Sequence, residues 1–138
     1  MYLEFFNKKY ENPDLNLIKI FEEKNINKIN SIIEINNIFF CSLCEHHMLP
    51  FKGHVHIKYL PKNGKILGIS KFARIVEHFS SGLQIQERLT SQIAEFIFSK
   101  LEPQGVEVIV EAEHLCMTVR GVKSTDSKTK THVILGNF

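Results

Sequence analysis

The densest group of chemistry-bearing residues is Cys44-Glu45-His46-His47. A thiolate and an imidazole with two residues between them, on a turn, can reach one tetrahedral metal. Taken alone, a buried cysteine beside a surface histidine is the commoner meaning of such a pair. A second segment, Glu113-His114-Leu115-Cys116, adds another soft donor. Read as a strand, it sends His114, Cys116, Thr118 and Arg120 to one face. Cys44, His47 and Cys116 then make a set of two thiolates and one imidazole. Three protein ligands leave the fourth position to water, the pattern of a catalytic zinc, whose water has a pKa brought toward ~7. His46 and His114 flank the donors as candidate general acids or bases. With His114 as a fourth ligand, the same residues would instead describe a small structural zinc module. Cys41, behind Phe39-Phe40, reads as a core residue. His54, His56, His78 and His132 take no role.

Two more segments carry weaker signals. In Gly68-Ile69-Ser70-Lys71-Phe72-Ala73-Arg74, a hydroxyl and two cations open a helix. Backbone N–H groups and the helix dipole favour an anion there. Locally, plain capping with solvated cations is the better account. In Gln84-Ile85-Gln86-Glu87-Arg88-Leu89, the Glu87 carboxylate can accept from the adjacent N1–H and N2–H₂ of guanine. In isolation, an ordinary charged helix face is the better account.

The elements that must position these groups follow from periodicity. Ser31 to Leu43 is rich in Ile and Phe and predicts two short strands around Asn36-Asn37. Phe51 to Tyr59 alternates, with His54, His56 and Lys58 on one face and Val55, Ile57 and Tyr59 on the other. Pro61-Lys62-Asn63-Gly64 signals a hairpin turn, with Lys65 to Ile69 as the returning strand. Ser70 suits an N-cap, and Phe72, Ile75, Val76 and Phe79 form one apolar helical stripe. A second helix is expected from about Leu83 to Lys100, with Ile85, Leu89, Ile93, Phe96 and Ile97 inward. Val106 to Val122 reads as a strand pair or one long bent strand, and His132 to Leu135 as a last short strand. Leu3, Phe5 and Phe6 suggest the tail of a helix, and Leu15, Ile18 and Phe21 have helical spacing. The order is that of an α+β fold with an antiparallel sheet.

Composition sets outer bounds. The chain has 138 residues, 43% hydrophobic and 23% charged, enough for one domain. A net charge of +2 is too mild to argue for nucleic acid or a membrane surface. No apolar run approaches the ~20 residues of a membrane helix. The N-terminal residues lack the pattern of a secretory signal. Three cysteines do not make a disulfide framework, so the expected setting is the cytoplasm, with reduced thiols.

Taken together and in order, five segments resemble GTP cyclohydrolase I. They are Cys-Ser-Leu-Cys-Glu-His-His at 41–47, Gly-Ile-Ser-Lys-Phe-Ala-Arg-Ile-Val-Glu at 68–77, Gln-Ile-Gln-Glu-Arg-Leu-Thr at 84–90, Pro-Gln-Gly-Val at 103–106 and Glu-Ala-Glu-His-Leu-Cys-Met-Thr-Val-Arg-Gly-Val at 111–122. The resemblance implies conversion of GTP and water into 7,8-dihydroneopterin triphosphate and formate, the first step toward pterins and folates. It implies zinc on Cys44, His47 and Cys116, and proton transfer by His46 and His114. Ser70 would act at the ribose, Lys71, Arg74 and Arg120 would hold the triphosphate, and Gln86 and Glu87 would hold guanine. It also implies the tunnelling fold, an antiparallel sheet with two helices on one face. Such sheets join in a ring, and two pentamers stack as a homodecamer with sites between subunits. Residues 1–138 would be one such domain, with 1–30 the remnant of an N-terminal helical region. The family's earlier helices, an arginine upstream and a closing helix fall outside this sequence. A non-catalytic GTP- or zinc-binding subunit of the same fold is the alternative this leaves.

Overall fold

The computed structural model describes residues 20–24 and 31–138. The helical tail expected at Leu3–Phe6, the Leu15–Ile18 spacing and most of the 1–30 segment lie outside the described residues. Phe21, the last member of that spacing, lies on a strand, β1 (Ile20–Glu22).

The core is built on three long antiparallel strands: β2 (Ile33–Cys44), β3 (Pro50–Leu60) and β6 (Gly105–His114). Strand β3 is central. Val55, Ile57 and Tyr59 are buried on one face, as their alternation predicts. On β6, Val106, Val108, Val110 and Ala112 take the matching positions. Strand β7 (Thr129–Gly136) extends the sheet beyond β6, and is longer than the predicted His132–Leu135 strand. Gly53 is required where β3 meets β6, because a Cβ there would stand 1.8 Å from the Glu111 carbonyl oxygen.

Two helices cover the apolar face. Helix α1 (Ile69–Ser80) buries Phe72, Ile75 and Val76, with Phe79 at the rim. Helix α2 (Gln86–Leu101) buries Leu89, Ile93, Ala94, Ile97 and Leu101. Among the described residues, the opposite face carries no helix and presents His54, His56, Lys58, Glu107, Glu111 and His132. The architecture is therefore α+β, with two helices on one face of a sheet, as expected.

Five local expectations are corrected. The Ser31–Leu43 region is one strand, with a register shift between Ile35 and Ile38. Asn37 there takes a positive φ of 59° and donates its N–H to His56 Nδ1 at 3.2 Å. The turn at Pro61–Gly64 forms, but β4 (Lys65–Leu67) does not return along β3. It pairs with β1, because β2 and β6 already occupy both edges of β3. Ser70 lies inside α1; Gly68 is the N-cap, and no side chain caps the helix. The second helix starts at Gln86, and Leu83–Gln84 forms a short strand, β5, parallel to β2. The sheet is thus mixed rather than wholly antiparallel. Finally, β6 stops at His114, and Leu115–Thr118 forms a one-turn helix, α3.

Candidate active site

The ends of the sheet are not equivalent. Cys44 closes β2, Pro50 opens β3, His114 closes β6 and Gln86 opens α2, all at one end. Cys44 also pairs with Gln84 of β5. Four separate segments are brought together there, which the linear spacing alone could not do.

Cys44 is buried, and its two-residue spacing to His47 falls on a tight turn. The Met48 N–H donates to the Cys44 carbonyl at 2.7 Å, and the Cys44 N–H donates to that of Leu49 at 2.9 Å. His46 and His47 stand exposed on the turn. The Cys44 Sγ lies 3.9 Å from His46 Nδ1. Cys116 is half-buried on α3 rather than on a strand, so the shared face of His114, Cys116, Thr118 and Arg120 does not exist. Among the described residues, no three His, Cys, Asp or Glu side chains encircle a common point. The convergence of Cys44, His47 and Cys116 is therefore one of segments, not of side-chain positions. The donor set still fits zinc in kind: two cysteines outside any disulfide and an imidazole, on adjoining segments, with His47 exposed.

His114 is the best-defined group. Its ring stacks on Phe51, and its Nε2 lies 2.7 Å from Gln86 Oε1. The Gln86 amide is oriented by its other end. Its Nε2 donates to the carbonyls of Val110 (3.0 Å) and Thr129 (2.9 Å) and to Thr131 Oγ1 (3.2 Å). Carbonyl oxygens only accept, so the amide oxygen must face His114. His114 therefore carries its hydrogen on Nε2, and Nδ1 is left as the basic nitrogen. Burial pulls the His114 pKa below the ordinary histidine value, with Glu87 pulling weakly the other way.

Gln86 is 1% exposed, and its amide is engaged at both ends with its oxygen toward His114. Glu87, the next residue, is exposed on the first turn of α2.

A contact that the sequence did not suggest joins two of the motifs. Arg88 grips Glu45 with both prongs, Nη1 to Oε2 at 2.8 Å and Nη2 to Oε1 at 3.1 Å. The only sequence cue was an acid inside the donor turn and an arginine beside Glu87.

The cations fall elsewhere. Ser70, Lys71 and Arg74 occupy the start of α1, which lies at the far end of the sheet, past Leu60 and β4. The helix ends near the donors, where Ser42 Oγ donates to the Gly82 carbonyl at 3.4 Å. Twelve helical residues span roughly 18 Å, so one chain keeps this group well away from Cys44. Arg120 follows α3, exposed, on the donor side.

The fold and the motif order agree with the comparisons. The GTP cyclohydrolase I family model matches residues 1–138. The GTP cyclohydrolase 1 of Pelotomaculum thermopropionicum is 49% identical over 138 residues, covering all of this chain and 71% of that protein. That of Carboxydothermus hydrogenoformans is 47% identical, covering all of this chain and 70% of its length. That of Listeria monocytogenes is 44% identical with 71% of its length covered. The chain belongs to the GTP cyclohydrolase I family and is an enzyme of that family. A crystal structure of archaeosine synthase QueF-Like in the apo form aligns with a TM-score of 0.61 at 18% identity, covering 78% of this chain and 96% of that one. That likeness concerns fold alone and is to a tunnelling-fold relative. Among the described residues, no helix is long and apolar enough to cross a membrane.

Proposed function

We propose that the chain opens the imidazole ring of guanine in GTP, consuming water, releasing formate and forming 7,8-dihydroneopterin triphosphate. The observation that carries this reading is the meeting of the Cys44–His47 turn, His114, α3 with Cys116, and Glu87 at one end of the sheet. Cys44, His47 and Cys116 would hold zinc, which when bound supplies a Lewis acid that makes water nucleophilic near neutral pH.

The protein's own groups do the rest. Glu87 accepts from guanine N1–H and N2–H₂, which selects guanine over adenine. His114, held flat and hydrogen-bonded through Nε2, exchanges protons at Nδ1 with the opening ring. His46 is the second proton carrier and sits beside the Cys44 sulfur. Lys71, Arg74 and Arg120 balance the triphosphate, which carries about four negative charges. Ser70 would help position the ribose.

The separation of Ser70, Lys71 and Arg74 from the donors is reconciled by a second copy that brings the start of its α1 to this end. Among the described residues, the outer edges of β7 and of the Ile33–Phe40 stretch of β2 pair with no strand, and are the natural seams of such an assembly. A homodecamer of two stacked pentamers is the form we favour.

The deciding experiment incubates zinc-loaded protein with GTP, assays formate, then oxidises the product and reads pterin fluorescence. Absence of both from an assembled, zinc-containing sample removes the proposal.

A further inference from the structure

Two contacts tie the donor turn to the elements beside it. The Glu45 N–H donates to the Gln84 carbonyl at 3.0 Å. The Glu45 carboxylate receives the two-pronged grip of Arg88. Arg88 is the third residue of α2, next to Glu87, and the helix start is anchored by the buried amide of Gln86. A rigid helix end therefore presents one side chain to His114, one to solvent and one to the donor turn.

We propose that Arg88 is a positioning residue that fixes the Cys44–His47 turn against the start of α2. It thereby sets where the metal donors stand relative to His114 and the Glu87 carboxylate. The inference rests on the reading of Cys44 and His47 as zinc ligands. Its physical basis is geometric rather than energetic. The side chains are 40% and 33% exposed, so the pair adds little to stability. Two parallel N–H···O bonds, however, fix both distance and plane, which a single-point ammonium cannot do. Groups just outside a metal's ligands typically change its affinity by about 10–100-fold when removed.

The test uses Arg88→Ala, Arg88→Lys, Glu45→Ala and the exchanged pair Glu45→Arg with Arg88→Glu. Zinc affinity is measured by chelator competition, and amide hydrogen exchange at Glu45 and Met48 is measured on metal-free protein. Arg88→Lys and Arg88→Ala are expected to weaken zinc about 10–100-fold and to speed exchange in the turn. Tm should move by less than about 4 °C, and kcat should fall more than KM for GTP rises. The exchanged pair should recover part of the affinity. If Arg88→Ala unfolds, Arg88→Lys decides, since it keeps the charge and most of the stem. Wild-type affinity and exchange in Arg88→Lys overturn the proposal. A wild-type protein that binds zinc but makes no formate removes the reaction and leaves Arg88 to be judged by affinity and exchange. A wild-type protein that binds no zinc overturns both.

Discussion

The imidazole of His114 lies flat on the ring of Phe51, with centroids 4.7 Å apart and planes 4° from parallel. The two residues are direct partners across the β3–β6 ladder. Phe51 is fully buried, so it fixes the plane of the histidine while Gln86 fixes its rotation. Phe51→Leu keeps an apolar filler but removes the flat platform. Stability should fall by about 1 kcal/mol, and the rate of formate release should fall further than that loss explains. Paired thermal melts and steady-state kinetics check this.

Gln86→Leu leaves the Val110 and Thr129 carbonyls without their donor. The expected cost is about 1–3 kcal/mol. The sharper readout is nitrogen NMR of His114. The wild type should show hydrogen on Nε2, and the variant a mixture of tautomers. A mixture in the wild type would contradict the amide orientation.

Cys44→Ser and Cys116→Ser should each lower retained zinc by about tenfold or more after dialysis against a weak chelator. Cys41→Ser should not change zinc content, since Cys41 faces Lys52 across the β2–β3 pair, away from the donor turn.

Glu107 gives the stability of the fold a pH dependence. Lys58 holds its carboxyl below the usual carboxylate range; burial opposes this, and His132 Nε2, at 2.6 Å from Oε1, adds to it. A lowered folded pKa means that the unfolded state takes up the proton first. The stabilisation is complete above the ordinary carboxylate pKa and is lost as pH falls through the depressed folded value. Glu107→Gln should lower Tm at neutral pH by a few degrees. It should also flatten the decline of Tm between about pH 6 and 3 relative to wild type.

Because α1 starts at the end of the sheet opposite Cys44, variants in the two groups should complement each other. Arg74→Ala and His114→Ala, each inactive alone, should regain formate release when refolded together, through sites that draw the cations from one copy and the histidine from the other. Mixtures as inactive as their parents would place the whole site within one chain.

What could be read from the linear chain was whatever is periodic and local. The alternation at Val55, Ile57 and Tyr59 and the stripe at Phe72, Ile75 and Val76 name their buried faces outright. The partner of Lys65–Leu67 could not be read, because a turn signal does not reveal that β3 has no vacant edge. The end of β6 at His114 was hidden by Val-rich sequence on both sides of Leu115–Thr118, where tertiary placement outweighs strand preference. The role of Gln86 was hidden for another reason. Its four partners come from two other strands, β6 and β7, 24 to 45 residues away. The donor types in the Cys44–His47 turn and at Cys116 were legible; the rotamers that would gather them were not.

Strand β3 is hydrogen-bonded to a neighbour along both sides, and Phe51 lies at its start. Its backbone protons should be among the slowest of the domain to exchange with solvent. The platform under His114 thus belongs to the last-opening part of the molecule, while the exposed turn with His46 and His47 can breathe on a far shorter timescale. Catalytic wear from heating should accordingly begin as reversible metal loss, well before the scaffold melts.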